Sequence, residues 1–72
     1  MASKEDKPIH LTKRQREVLK LMIAGYTNPH IAETLSISLS TVKAHVSAII
    51  REFGVKTRID VTREAMKRGY LD

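Results

Sequence analysis

Three features of the sequence predict an all-α fold. Apolar residues recur at helical spacing in four separate segments, each segment opens on Thr, Asn or Ser, and three of the four run into a glycine. Strand-like alternation is weak throughout. A chain of 72 residues holds one domain with a thin core. It has no cysteine, so neither a disulfide nor a thiolate metal site reinforces that core. Oligomerisation is the remaining common support.

The opening MASKEDKP is polar and aperiodic. Residues 1–10 are therefore expected to form a flexible N-terminal arm and residues 11–72 the domain. The first helix begins at Thr12, which with Gln15 fits a capping box. Val18, Leu19, Leu21, Met22 and Ile23 make its second half apolar over most of its circumference, which places it centrally in the core, and Gly25 ends it. The second helix starts in Thr27-Asn28-Pro29. Proline disfavours helical geometry in the residue before it, so Asn28 is the expected N-cap and Pro29 the first helical residue. Ile31, Ala32 and Leu35 form its apolar face. Ser36-Ile37-Ser38 is a tight connection with Ile37 as its apolar plug. Ser38 caps a third helix, about Leu39–Phe53, which Gly54 terminates. The fourth runs from about Arg58 to Arg68, with Thr57 as cap and Gly69 following.

The longest apolar run is Leu21-Met22-Ile23-Ala24, too short for a membrane span or a signal peptide. The default expectation is a cytoplasmic protein with no membrane partner. Net charge is +5 and the sequence pI about 9.9, which favours a polyanionic partner, nucleic acid before anionic membrane. The charge is uneven. Residues 1–10 sum to zero, whereas residues 11–26 set Lys13, Arg14, Arg16 and Lys20 against Glu17 alone.

The third helix has two unlike faces. Val42, Val46, Ile49 and Phe53 are spaced four, three and four residues apart and form a narrow apolar stripe, with Ile50 beside it. Opposite lie Ser40, Lys43, Ala44, Ser47 and Arg51, and Thr41, His45, Ala48 and Glu52 occupy a flank. The outward face is smooth, basic and free of acid until the last turn. A major groove admits one α-helix whose deepest side chains are short, as Ala44 and Ser47 are. Lys43 can reach a guanine edge or a phosphate, and Ser40, Thr41 and the helix N-terminus offer donors to phosphate. A short helix, a tight turn and a longer helix with this face make a helix-turn-helix unit. A helical hairpin with a merely solvated face is the plain alternative.

The stretch LTKRQREVLKLMIAGYTNPHIAETLSISLSTVKAHVSAIIREFGV, followed by R…A…G, resembles the LuxR-type helix-turn-helix family, that of GerE and the NarL output domain, over residues 11–71. The resemblance implies a four-helix, bacterial DNA-binding transcription regulator. Its third helix would read the major groove of double-stranded DNA, and its fourth would form a two-fold dimer contact. By position, Thr41 and Lys43 match residues that hold phosphates, and Lys43, Ala44 and Ser47 match positions facing base edges. Thr27 and Asn28 match a phosphate-contacting helix start. The family usually places Lys or Gln after the residue matching Asn28, then Glu. Here Pro29 and His30 stand there, which removes the usual capping box and predicts a start one residue later.

The fourth helix also points to a dimer by its own pattern. Val61 and Ala65 lie on one side with Thr62 beside them, and Ile59 and Met66 lie further round, so apolar groups span close to half the circumference. Packing within one domain needs a stripe of only about 100°. Val61, Ala65 and Met66 are therefore the expected homodimer interface, one that can be weak in free solution and form only on DNA. RNA polymerase is a further candidate partner. The competing function is a helical adaptor that acts mainly by binding another transcription protein. Such an adaptor would carry a large apolar patch on the outward face of the third helix, and the sequence has none there.

Other residues carry less. His10 falls in the arm. His30 and Glu33 are one turn apart, but two ligands without a third are more often surface residues than a metal site. His45 either touches phosphate or covers the helix–helix seam, and Met66 and Tyr70 suit core, interface or both. Without a cysteine nucleophile, a glycine-rich phosphate loop or paired carboxylates beside a histidine, no enzyme activity and no cofactor are expected.

Overall fold

A computed structural model describes residues 9–70. Among them are four helices and no strand: α1 Lys13–Ile23, α2 Asn28–Leu35, α3 Leu39–Phe53 and α4 Arg58–Lys67. Residues 1–8 of the expected arm lie outside the described residues. Ile9 is half-buried against the core, and the His10 amide donates to Glu52 Oε2 at 3.5 Å.

Each helix starts by the same local device. Thr12, Thr27, Ser38 and Thr57 stand in extended conformation, and each hydroxyl accepts from the backbone N–H three residues on. At α1 the box is complete, because the Gln15 side chain accepts from the Thr12 amide at 3.0 Å. At α2 the cap is Thr27, not Asn28, and the helix is not delayed. Asn28 is its first residue and Pro29 its second. A proline there forfeits nothing, since the first four N–H groups of a helix have no partner within it. Half of the capping box survives, with the His30 amide donating to Thr27 Oγ1 at 3.3 Å. The His30 ring stacks on Tyr26, with centroids 4.1 Å apart.

All four helices also end alike. A residue in left-handed conformation follows the last turn: Gly25, Ser36, Gly54 and Gly69, with φ of 94°, 57°, 69° and 80°. Its amide bonds back three residues and the next amide bonds back five, as in Gly54 to Arg51 and Val55 to Ile50. This is the Schellman arrangement. Ser36 is the one described non-glycine residue at positive φ. Its Cβ crowds the following carbonyl in that conformation. Ser36→Gly is therefore expected to raise stability by about 0.5–1 kcal/mol, and Ser36→Val to lower it by more than about 1 kcal/mol. Urea unfolding followed by circular dichroism checks both.

α1 is central, as expected, since it touches all three other helices, and α3 is the hub of the core. α3 packs on each of the other three helices and supplies Val42, Val46, Ile49 and Phe53, four of the ten buried hydrophobic residues. The four-three-four spacing keeps these side chains on one side along the full length of the longest helix, so each of the shorter helices finds part of the stripe. α1 adds Val18, Leu19 and Met22, α2 adds Ile31, and α4 adds Val61 and Ala65. Ile37 is half-buried in the α2–α3 turn, and Tyr70 packs edge-on against Phe53 with centroids 6.0 Å apart. Tyr70 is thus core, while Met66 is 53% exposed. Among the described residues no polar or charged residue is buried, and no helix is long and apolar enough to cross a membrane.

Candidate nucleic-acid interface

Burial of the α3 stripe turns the opposite face outward. Ser40, Thr41, Lys43, Ala44, Ser47 and Arg51 are all exposed, and His45 is half-buried at the edge. At the start of the helix the Ser38 hydroxyl joins a small polar cluster. It accepts from the Thr41 amide at 3.1 Å and lies 3.1 Å from Ser40 Oγ and 2.8 Å from Thr41 Oγ1. The hydroxyls at the mouth of α3 are therefore held together before any ligand arrives. Lys43 has no acidic partner among the described residues, whereas Arg14, Arg63 and Arg68 pair with Glu17, Asp60 and Glu64.

The start of α2 and the start of α3 meet at one open cleft. Thr27, Asn28, Pro29, Leu39, Lys43 and Arg58 line it, together with Met22 and Tyr26. The fold thus brings together Thr27, Asn28 and Lys43, three residues singled out by sequence from two separate segments. Arg51 stands about 12 Å further along α3, eight residues on at about 1.5 Å each. A cationic face with short central side chains, flanked by a second helix start, is complementary to a polyanionic double helix.

Arg58 was not among the residues expected at this interface. It is the first residue of α4, yet its guanidinium donates to Asn28 Oδ1 and to the Tyr26 carbonyl, the latter at 2.6 Å. The one local signal was a cation at a helix N-terminus, where the dipole disfavours it.

The expected dimer residues divide. Val61 and Ala65 are 0% exposed, because their four-residue spacing sets both on the side of α4 that docks on the core. A second chain cannot touch them in this conformation. The smallness of Ala65 serves close approach within the domain. What α4 leaves outside is Met66 together with Ile59, which is 68% exposed. These are seven residues apart and so lie on one face two turns apart.

A short helix, a three-residue turn and a longer helix with a bare basic face define a helix-turn-helix unit of the kind that docks on DNA. The chain belongs to the luxR family of bacterial regulatory proteins, as a DNA-binding helix-turn-helix domain, and the family model matches residues 10–65. It is 47% identical over 66 residues to the transcriptional regulatory protein DegU of Brevibacillus brevis, covering 90% of this chain and 28% of DegU. It is 39% identical over 62 residues to the oxygen regulatory protein NreC of Staphylococcus aureus, covering 86% of this chain and 29% of NreC. The chain therefore spans under a third of the length of these relatives. Among solved structures it superposes on the transcription factor GerE with a TM-score of 0.78 at 33% identity, over 92% of this chain and 97% of that one. It also superposes on the LuxR-type receptor VqmA of Vibrio cholerae, described as a dimer in the absence of its target DNA. There the TM-score is 0.85 at 32% identity, over 88% of this chain and 28% of that one.

Proposed function

We propose that this domain binds specific DNA sequences by docking α3 in the major groove, and that it does so as a two-fold dimer through the exposed side of α4. The observation that carries the reading is the outward face of α3: six exposed residues, two of them cationic and none acidic, fixed in direction by four buried ones. Ala44 and Ser47 are short enough to let the helix approach base edges, and Lys43 and Arg51 supply charge. Ser40, Thr41, Thr27 and Asn28 supply neutral donors to the phosphates on either side. The adaptor reading lacks the apolar patch it needs, since the exposed large hydrophobics of the described residues are Leu39, a single residue at the cleft beside Lys43, and Ile59 and Met66 on α4, which together make no continuous patch on this face.

Selection of bound duplexes from a random pool, using the purified chain, tests the proposal directly; an unenriched pool would refute it. On a selected site, Lys43→Ala is expected to weaken binding about tenfold and to make the salt dependence shallower by roughly one counterion. An unchanged slope and affinity in a salt titration would exclude groove docking. Ser47→Lys is expected to change which sequences are selected while leaving helicity and melting nearly as in the parent chain.

A further inference from the structure

We propose that Arg58 is a positioning residue for DNA binding: it fixes the side-chain amide of Asn28 so that its NH2 group is presented to a backbone phosphate at the start of α2. The inference rests on the DNA reading above and assigns the orientation of one contact within it.

The two ends of an Asn amide are chemically opposite, an acceptor oxygen and a donor NH2. Phosphate oxygens only accept, so just one end of Asn28 can serve them. Arg58 makes the choice. A guanidinium has donors only and stays charged, so the atom of Asn28 facing it must be Oδ1, as the structure has it. The alternative flip would set NH2 against NH2. Asn28 Nδ2 has no partner among the described residues, and no unbonded side-chain nitrogen or oxygen there is buried. The NH2 group therefore faces solvent, in the cleft it shares with Lys43.

The second bond of the same guanidinium makes the arrangement rigid. Arg58 also holds the Tyr26 carbonyl at 2.6 Å, two residues before Asn28. The loop leading into α2 is thus clamped at its backbone and at its side chain by one group reaching from α4, 30 residues away. Local helix energetics do not account for a cation there, because the dipole opposes a positive charge at the first position of α4. Asp60 in the same turn is placed as the dipole favours.

The test uses the purified chain on a duplex selected with it, with affinity measured across salt and folding followed by thermal melting. Asn28→Asp keeps an acceptor for Arg58 but replaces the donor with an acidic oxygen. It is expected to melt no lower than the parent chain and to bind at least about tenfold more weakly. Arg58→Met is expected to weaken binding several-fold without altering the salt slope, and to cost little further in an Asn28→Ala background. Arg58→Lys restores charge but not the two-pronged geometry and should rescue only in part. Parent-like affinity in Asn28→Asp overturns the proposal, and does so without reference to folding. A slope shallower by one counterion in Arg58→Met, or an undiminished effect in the Asn28→Ala background, also overturns it, since Arg58 would then touch phosphate itself. Lys43→Ala in the same series separates the two levels. If it weakens binding and Asn28→Asp does not, the positioning role alone fails; if neither does, the DNA reading fails with it.

Discussion

Ala65→Glu is expected to unfold the domain. The Ala65 side chain is 0% exposed, in a core of ten residues. Adding a carboxylate there overpacks the junction of α4 with the core and buries a charge, and the described core holds no polar partner for it. Together these effects should exceed about 4 kcal/mol. A domain of this length has roughly 4–10 kcal/mol in all, so most or all of its stability is lost. The expected reading is loss of the helical circular dichroism signal and of the cooperative melt at room temperature. A folded Ala65→Glu chain would show that α4 is not docked as described. Ala65 is for the same reason useless as a probe of dimerisation, because any loss of DNA binding would follow from loss of the fold. Met66→Glu, on the exposed side of the same helix, should shift stability by less than about 0.5 kcal/mol.

The second large effect is expected on DNA. Ile59 and Met66 are the exposed apolar groups of α4, with Thr62 half-buried beside them and Arg63 between. A two-fold contact of two such helices would bring each pair against its copy, since an isologous interface uses the same patch twice. Two residues a side make a small contact, so the dimer should be weak in free solution and effective when one duplex holds both chains. The selected site is then an inverted repeat with half-sites about one helical turn apart. The double substitution Ile59→Glu, Met66→Glu would place four carboxylates at the axis. Apparent affinity for the repeat should fall about 100-fold or more, while affinity for a single half-site persists. Sedimentation of the complex decides it: one chain per duplex at saturating parent protein would end the dimer model.

Features written into neighbouring residues were legible in the sequence. Thr12 with Gln15, and Ser38 three residues before Thr41, bond across one turn, so their roles depend on nothing distant. The direction of the α3 face was equally legible, because a 15-residue helix with one four-three-four stripe has only one way to bury it. Features that depend on another element were not. The Thr27 cap is itself local, but the proline rule pointed to Asn28 in its place, and the hold of Arg58 on the Asn28 side chain comes from 30 residues away. The apolar side chains of α4 cover so much of its circumference that periodicity alone cannot choose the inward part. Burial by the other helices chooses Val61 and Ala65 and leaves Ile59 and Met66 outside.

The matched endings of the four helices bear on how the chain folds. Each start is closed by a hydrogen bond spanning three residues and each end by one spanning five. Helix boundaries are therefore encoded within single turns and can form and dissolve before any long-range contact exists. The remaining search is over the docking of four rods joined by short connections, which carries little loop-closure entropy. Chains of this local kind collapse to the native state in microseconds to milliseconds. The connection most costly to form is the one at Ser36, where a side chain must enter left-handed space. The joint between α2 and α3 is thus the one helix ending of the four whose backbone geometry a side chain opposes.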